Sequence, residues 1–401
     1  MSTESWRVPV RIDFAGGTLD LWPIYAMMGG CLTVNAAVDL WIELEVVRNG
    51  SGHRITSRDL GVDLAFDAWP AEPPHGLSWA WRALDASGAP PAAVSIHSPV
   101  PQGSGLGVSS CLGVGLLGAA LSEEAGEGLA RKVPILRDLE SCELQTPAGW
   151  QDYYPAALGG ALALHWDGPD PRWERLEPHP GLLADLVVFY TGKPHHSGLT
   201  NWEAYKRFIE GDRQTREALS DIRRIAREMA AALPSDPSEV AALLEREGQA
   251  RVRLSPAVET EAMRTVRERG RREGWYAGMK PCGAGGGGCC LLVVKDGRRE
   301  AAEAALRDLG AGRRALGAAR KGGRGGVGGA RDPAPAGGGA AAWRGRRAGA
   351  APACPGRGRG APRPGRPADL PPPRSAPPGA GGAEPRPPGG ACRPGSSRAR
   401  R

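Results

Sequence analysis

The sequence lacks the features by which several protein classes are recognised. No apolar run reaches the roughly 18 residues of a membrane-spanning helix, and residues 1–14 carry four charges without the apolar core of a secretory signal. The motif GxxxxGK[ST] is absent, which excludes the common phosphate-loop NTPases. The eight cysteines include no CxxC pair, so buried reduced thiols are favoured over a metal site or a disulfide framework. These absences predict a cytoplasmic protein without a membrane segment.

Large aliphatic residues are nearly missing from the last quarter of the chain. From residue 311 onward, Leu, Ile, Val and Phe are represented only by Leu316, Val327 and Leu370, beside 23 Gly and 16 Pro in 91 residues. Such a segment cannot bury enough apolar surface to offset the entropy of ordering it, so residues 311–401 are predicted to be a disordered tail. Its repertoire of almost only Gly, Ala, Pro and Arg is typical of GC-rich coding sequence translated out of frame. We therefore hypothesise a frameshift near residue 311.

The charge of the chain divides at the same place. The net charge is +7, the tail alone carries +16, and residues 1–310 therefore carry −9. The body is thus a mildly acidic globular protein, and nucleic acid is expected to bind only weakly, through the basic tail, with an affinity that falls steeply with salt.

Within the body, the sequence Gly-Pro-Asp-Pro at 168–171 breaks the chain. It predicts two domains, residues 1–170 and 171–310.

The most informative segment that is present is a glycine loop at residues 101–110, Pro-Gln-Gly-Ser-Gly-Leu-Gly-Val-Ser-Ser. The pattern predicts a strand before it, at Ala93 to His97, and an apolar helix after it, at Val108 to Leu121. The three glycines permit positive φ and let backbone N–H groups approach an anion at the helix N-terminus. The two final serines can donate to phosphate or ligate a hard cation. The loop therefore predicts a phosphate-binding site.

A dinucleotide-binding turn is one alternative for this loop. Gly103, Gly105 and Gly107 match part of that fingerprint, and Glu123 is a downstream candidate for the ribose. The spacing is GxGxG rather than GxGxxG, however. An NAD(P)-dependent oxidoreductase is therefore the least favoured interpretation.

Two further segments accompany the loop: residues 11–20, Arg-Ile-Asp-Phe-Ala-Gly-Gly-Thr-Leu-Asp, and residues 280–288, Lys-Pro-Cys-Gly-Ala-Gly-Gly-Gly-Gly. In order and spacing, the three segments resemble the three motifs of the GHMP kinases, and the second motif, P-x-G-S-G-L-G-x-S-S, is present in full. The resemblance covers about residues 7–310. It implies an α+β fold of two domains, an N-terminal α+β domain with the glycine-rich phosphate loop and a C-terminal ferredoxin-like α+β domain. It also implies ATP and Mg²⁺.

The resemblance assigns roles to individual residues. Asp152 matches the catalytic aspartate, which would accept or orient the proton of the acceptor hydroxyl, and Arg11 matches the basic residue beside it. Ser110 and Glu140 match the Mg²⁺ ligands, with Glu143 as the fallback. The residues expected to bind ATP and its phosphates are Pro101, Gly103, Ser104, Gly105, Leu106, Gly107, Ser109, Ser110, Gly283, Gly285 and Gly286.

Within the family, the first motif and the segment Gln-Asp-Tyr-Tyr at 151–154 look most like the sugar kinases that include heptose 7-phosphate kinase and fucokinase. Asp20, Gly16, Gly17 and Thr18 are then expected to bind the sugar, since a carboxylate can accept hydrogen bonds from two hydroxyls. The Glu-His of galactokinases is replaced here by Gly17 and Thr18, which argues against galactose. The resemblance implies an anomeric hydroxyl of another sugar or sugar phosphate as the acceptor.

Several expectations remain beside this interpretation. A sugar or nucleotide sensor of the same fold without catalysis is the alternative function, and Arg11 with Asp20 could be a structural ion pair. Lys193, His195 and His196 are weaker candidates for a substrate anion site.

The mixed Arg and Glu residues of the helices predicted between residues 201 and 273 are expected to be solvated. No apolar run after Gly310 offers a final strand for the C-terminal sheet, which predicts an unpaired edge. The oligomeric state is not predicted.

Overall fold

The computed structural model of the chain describes residues 2–48, 52–59, 61–68, 78–100, 103–123, 125–168, 170–194, 197–310 and 312–316. The strands are β1 (Ser2–Ala15), β2 (Cys31–Arg48), β3 (His53–Ser57), β4 (Val62–Phe66), β5 (Ala93–His97), β6 (Ala161–Trp166), β7 (Arg172–Leu176), β8 (Leu186–Tyr190), β9 (Tyr276–Pro281), β10 (Cys289–Val294) and β11 (Gly312–Leu316). The helices are α1 (Ile24–Met27), α2 (Ser78–Ala86), α3 (Val108–Leu121), α4 (Glu127–Ala130), α5 (Val133–Leu144), α6 (Tyr153–Leu158), α7 (Pro180–Asp185), α8 (Ser197–Ile209), α9 (Arg213–Ala232), α10 (Pro237–Leu254), α11 (Glu261–Glu273) and α12 (Arg299–Asp308), with a 3₁₀ turn at Pro256–Val258.

Most predicted elements coincide with the structure. The predictions for β5 and α3 agree at both ends. The helices expected between residues 201 and 273 are α8 to α11, and α8 is separated from α9 at Gly211, where φ is +89°. Pro101, His195, His196 and residues 317–401 lie outside the described residues, so the expectations placed on them stay predictions.

The N-terminal sheet has the order β4-β3-β5-β2-β6-β7, and β1 pairs with β2 in a long antiparallel ladder. Along β1 the even-numbered apolar residues Trp6 to Phe14 are buried, as the period of two in a strand requires. Arg11 and Asp13, on the other face, are buried as well. α3 and α6 pack against β1 and β2, and so does α9. The end of β1 is therefore covered on both faces.

This sheet excludes the dinucleotide-binding interpretation. That fold needs a mostly parallel sheet, whereas β5, which leads into the glycine loop, pairs antiparallel with β2 and parallel only with β3. Glu123 follows the end of α3, about 20 Å from the loop at 1.5 Å per residue, and its carboxylate lies 2.6 Å from Lys132 Nζ. It cannot serve a ligand at the loop.

The C-terminal sheet has the order β11-β8-β10-β9 and is antiparallel throughout. With α8 to α11 between β8 and β9 and α12 before β11, this is the βαββαβ arrangement of a ferredoxin-like domain. The prediction of a missing last strand is wrong, because β11 pairs with β8 from Gly312 opposite Tyr190 to Leu316 opposite Val188. An edge strand is held by backbone hydrogen bonds to one neighbour, so it does not require the apolar run that the sequence lacks.

Two sequence expectations about solvent are tested by burial. Cys31, Cys111, Cys282, Cys289 and Cys290 are free thiols, all buried, as predicted, whereas Cys142 is disulfide-bonded, which the prediction of reduced thiols did not foresee. The expectation that the charged helix residues are solvated is wrong for Glu247 and Arg251 of α10, which are buried. In the part of the chain that the structure describes, no helix is both long and apolar enough to cross a membrane.

Candidate active site

The glycine loop has the conformation that its sequence predicts. Gly103, Gly105 and Gly107 have φ values of +70°, +77° and +70°, in the left-handed region that side chains disfavour. α3 begins directly after Gly107, which has no side chain to cap the helix. The first N–H groups of the helix are thus available to an anion, and the helix dipole places partial positive charge beside them. The loop therefore has the geometry of an anion-binding helix N-terminus.

Arg11 and Asp152 meet next to this loop, although 141 residues separate them in the chain. Arg11 Nε and Nη2 donate to Asp152 Oδ1 and Oδ2 at 2.8 and 2.6 Å, and Nη1 donates to the Gly105 carbonyl at 2.6 Å. Burial alone would lower the pKa of Arg11, but the charge and hydrogen bonds of Asp152 outweigh it and raise the pKa above its usual value. The side chain of Asp152 keeps 24% exposure, against 3% for Arg11. Its carboxylate can therefore reach a bound molecule.

At Gly107, the last residue of the loop before α3, a side chain would be tightly confined. A Cβ at Gly107 would lie 3.3 Å from Arg11 Cγ and 3.3 Å from Asp152 Cβ. The ion pair and the phosphate loop are therefore in direct contact. The Asp152 side chain therefore lies next to the residue that precedes α3.

Several side-chain oxygens that could ligate a metal lie near Asp152. Glu140 accepts a hydrogen bond from the Tyr153 hydroxyl and interacts with the Ser109 hydroxyl. Burial raises the pKa of Glu140 to about 7, and the charge of Asp152 adds to this. Ser110 in turn interacts with the Tyr153 hydroxyl. Carboxylate and hydroxyl oxygens are the ligands that Mg²⁺ prefers, so this donor set fits the metal.

The fallback ligand is engaged elsewhere. Glu143 Oε2 lies 2.7 Å from Arg82 Nε, whereas Glu140 lies beside the loop serines. Tyr153 is the residue here that the sequence did not single out for a role. It follows Asp152 directly, and a hydroxyl next to a proposed catalytic carboxylate was the available signal.

Asp20 lies on the turn that follows β1. Its Oδ2 accepts hydrogen bonds from the backbone N–H groups of Trp150 and Gln151 at 2.8 and 3.0 Å, immediately before Asp152. Burial raises the pKa of Asp20 to about 6, although these backbone donors oppose it. The ion pair considered between Arg11 and Asp20 is not what forms, since Arg11 pairs with Asp152. Asp20 is bound by backbone instead.

The same turn holds a strained residue. Thr18 has a φ of +76°, which is unusual for a β-branched side chain and is found where surrounding structure imposes it. Thr18 Oγ1 lies 3.2 Å from Asn201 Oδ1 on α8. Gly16, with φ of +91°, packs so closely on Leu32 that a Cβ would lie 2.2 Å from its carbonyl oxygen. The residues predicted to bind the sugar thus form one rigid turn.

The third glycine segment packs on the first loop. Gly283, Gly285 and Gly286 all have positive φ, and the Cys289 N–H donates to the Ser104 carbonyl at 2.6 Å. A Cβ at Gly288 would lie 2.6 Å from the same oxygen. The predicted packing of this segment beside the phosphate loop is what the structure has. Lys193 contributes here through its carbonyl, which accepts from Gly288 N–H at 2.7 Å.

A buried cluster of four charges joins these parts, and the sequence did not predict it. Lys280 Nζ lies 2.9 Å from Asp13 Oδ2 and 3.0 Å from Glu247 Oε2, and Arg251 Nε lies 3.0 Å from Glu247 Oε1. Arg251 Nη2 lies 3.5 Å from Asp13 Oδ2. None of the four side chains is more than 4% exposed. We call Asp13, Glu247, Arg251 and Lys280 the buried charge cluster.

Comparison with known proteins places this site in a family. Residues 77–160 match the GHMP kinases N terminal domain, and residues 216–312 match the GHMP kinases C terminal domain. The chain is 29% identical over 228 residues to the L-fucokinase/L-fucose-1-P guanylyltransferase of Bacteroides fragilis, which is 46% of this chain and 23% of that protein. The chain therefore spans about a quarter of that relative's length.

Two other proteins match over a larger share of their length. The D-glycero-alpha-D-manno-heptose 7-phosphate kinase of Campylobacter jejuni is 26% identical over 313 residues, covering 71% of this chain and 87% of that protein. The crystal structure of a D-glycero-D-manno-heptose 1-phosphate kinase from Bacteroides thetaiotaomicron superposes with a TM-score of 0.62 at 21% identity, covering 80% of this chain and 97% of the other. Residues 77–160 and 216–312 thus carry the N- and C-terminal domains of the GHMP kinases, and the fold is that of the solved structure.

Proposed function

We propose that this protein is an ATP- and Mg²⁺-dependent sugar kinase, which transfers the γ-phosphoryl group to a hydroxyl of a sugar or sugar phosphate. The observation that carries the proposal is the Arg11–Asp152 pair in contact with Gly107 of the phosphate loop. Phosphoryl transfer needs mainly a cradle for the phosphates, neutralisation of their charge and a group that orients the acceptor. The described residues supply each of these at one place.

Asp152 is the proposed base. Its partly exposed carboxylate would accept the proton of the acceptor hydroxyl as the new bond to phosphorus forms. Arg11 donates to both carboxylate oxygens, so it fixes the direction of the carboxylate. Its guanidinium also adds positive charge near the transferred group.

The loop residues would hold the nucleotide. Gly103, Ser104, Gly105, Leu106, Gly107, Ser109 and Ser110, together with Gly283, Gly285 and Gly286, are proposed to surround the triphosphate. Ser110 and Glu140 are the proposed holders of Mg²⁺, with Tyr153 keeping the Glu140 carboxylate in place. When bound, the metal would neutralise charge on the phosphate oxygens. The proposed location is the cytoplasm, where thiols stay reduced: five described cysteines are buried free thiols, and the disulfide at Cys142 is the observation against this location.

The acceptor is proposed to be an anomeric hydroxyl of a fucose-like or heptose-like sugar, by analogy with the names of the relatives. Asp20 and the turn at Gly16, Gly17 and Thr18 would bind its other hydroxyls. The backbone donors from Trp150 and Gln151 fix the Asp20 carboxylate next to Asp152. Sugar recognition and phosphoryl transfer would thus share one short segment, residues 150–152.

The test is a panel of sugars and sugar phosphates, offered with ATP and Mg²⁺, with ADP release and phosphosugar formation as readouts. L-fucose, heptoses, heptose 7-phosphates and galactose belong in it. We expect turnover with a fucose-like or heptose-like acceptor and little with galactose. Binding of a panel member without ADP release from any of them would contradict the proposal and favour a sugar-binding sensor of the same fold.

A further inference from the structure

The buried charge cluster touches three separate parts of the proposed site. Asp13 stands two residues after Arg11 on β1, so both side chains lie on the same face of that strand. Glu247 Oε1 accepts from the backbone N–H of Gly16 at 3.3 Å, at the start of the sugar turn. Arg251 Nη1 donates to the Gly283 carbonyl at 3.4 Å, in the third glycine segment. The cluster is thus a junction between residues of the two GHMP domains.

Arg251 makes these contacts with three different nitrogen atoms. Nε donates to both oxygens of Glu247 at 3.0 Å, Nη2 faces Asp13 Oδ2 and Nη1 faces Gly283. A planar guanidinium can span three such partners, whereas the single ammonium of a lysine cannot. The position therefore requires the geometry of arginine and not only its charge.

The sugar turn depends on this cluster more than the third glycine segment does. The segment is held by backbone hydrogen bonds of its own, from Gly286 N–H to Val258 at 2.8 Å and from Gly288 N–H to Lys193 at 2.7 Å. The turn also has short-range backbone hydrogen bonds, from Leu19 N–H to Gly16 and from Leu21 N–H to Thr18, but the side chains that hold it against the C-terminal helices are Glu247 on α10 and Asn201 on α8. A shift of Arg251 should consequently move the turn and leave the phosphate loops in place.

Gly17 lies directly over the cluster. A Cβ there would come within 2.5 Å of Arg251 Nη2 and 2.8 Å of Asp13 Oδ2. Gly17 is not among the residues with positive φ, so its backbone does not demand glycine. What demands glycine is the closeness of the guanidinium, which couples this turn residue to Arg251 sterically.

We propose that Arg251 is a positioning residue that sets the sugar-binding turn, through Glu247 and Gly17, against the Arg11–Asp152 pair. The proposal rests on the proposed sugar kinase function and assigns one side of the acceptor site to the C-terminal domain. Arg251 touches no substrate in this account. It acts by fixing the backbone at residues 16–18.

The test is Arg251→Lys, which keeps the positive charge but replaces the planar guanidinium and its three donor nitrogens with a single ammonium group. We expect the KM for the sugar acceptor to rise about tenfold or more, because a small misplacement of a binding group is costly, while the KM for ATP changes less than threefold. Arg253→Lys is the matched control, since Arg253 lies on the same helix in an exposed pair with Asp221, 2.6 Å away. It should change neither KM. Equal changes of both KM values in R251K would overturn the proposal.

Two further measurements separate positioning from a merely structural role. Gly17→Ala should raise the same KM, and because the two side chains would collide, the effects of G17A and R251K should be non-additive in a double-mutant cycle. Additive effects would count against the coupling. Hydrogen exchange at the Gly16 amide should be faster in R251K, with the Gly288 amide unchanged. Unchanged exchange at Gly16 overturns the proposal even if no sugar proves to be a substrate, so its failure is distinguishable from failure of the proposed function.

Discussion

Two ion-pair sites lie two residues apart on β1, and they differ in access to solvent. The Arg11–Asp152 pair is open on one side, because the Asp152 side chain is 24% exposed. The buried charge cluster around Asp13 is closed, with no side chain above 4% exposure. An open carboxylate can exchange a proton with a bound molecule, whereas a closed one can only hold structure. The same strand therefore carries one pair suited to chemistry and one suited to support.

The two buried carboxylates Asp13 and Asp20 differ in the direction of their pKa shifts. Burial would raise the pKa of Asp13, but the charges of Lys280 and Arg251 outweigh it and lower the value. Asp20, equally buried, is hydrogen-bonded by backbone N–H groups rather than by a cation, and its pKa is raised to about 6. For these two buried carboxylates, a hydrogen-bonded cation therefore decides the direction of the pKa shift.

The largest effect should come from removing the open carboxylate. In Asp152→Asn the proposed base is lost while the shape is kept, so kcat should fall about 1,000-fold, measured as ADP release under saturating ATP and acceptor. The thermal midpoint should fall as well, because Arg11, at 3% exposure, loses its charged partner. Asp138→Asn, at an exposed carboxylate on α5, is the control and should retain activity. Full activity of D152N would remove Asp152 from the mechanism.

Removing one charge of the buried charge cluster should lower the stability of the fold. Lys280→Met leaves the buried carboxylates of Asp13 and Glu247 with Arg251 as the remaining cation of the cluster, which should lower the free energy of unfolding by about 3–5 kcal/mol. Denaturant unfolding measures this. Lys132→Met is the matched control, since Lys132 is paired with Glu123 at 34% exposure, and its effect should stay below about 1 kcal/mol. Similar losses in both variants would show that closure of the cluster adds nothing.

The open pair could be anticipated from the sequence, whereas the closed cluster could not. The glycine loop carries local signals, glycines at positive φ and an apolar helix after it, and both are in the structure. The meeting of Arg11 with Asp152 across 141 residues followed only from the family resemblance. Glu247 and Arg251 show the same spacing of four as Arg213 and Glu217, which are exposed. Periodicity does not distinguish them, because burial of α10 is decided by packing against distant strands.

Side-chain patterns also fail for the last strand, β11, where they miss an element that the structure contains. The composition after Gly310 predicts no strand, yet Gly312–Leu316 pairs with β8. Pairing at a sheet edge draws on backbone groups that every residue except proline has. Sequence patterns report side-chain burial, so they miss elements whose place is set by a neighbour's free edge.

A carboxylate buried without a cation should reveal itself in the pH dependence of stability. The pKa of Asp20 is about 6 in the folded protein and about 3.9 when unfolded. Between these values the folded state keeps a proton that the unfolded state has released. The contribution of Asp20 is therefore full below about pH 4 and is lost as the pH rises to 6, by about 3 kcal/mol at most.

Asp20→Asn removes this titration, so its free energy of unfolding should fall less between pH 4 and 6 than that of the parent protein. Urea unfolding at several pH values measures the difference. Asp138→Asn again serves as the exposed control and should leave the slope unchanged. An identical slope in D20N would show that Asp20 is already ionised at low pH, like Asp13.

The smallest effect concerns the two glutamates of α5. Glu140 lies beside Ser109 and Tyr153, whereas Glu143 lies beside Arg82, so only the first is placed to hold Mg²⁺. Glu140→Gln should raise the Mg²⁺ concentration needed for half-maximal activity about tenfold, as losing one charged ligand costs on the order of 1–3 kcal/mol. Glu143→Gln should stay within twofold. Calorimetry of ADP binding with and without Mg²⁺ gives a readout independent of turnover, and a larger loss in E143Q would move the proposed metal site toward Arg82, away from the open pair.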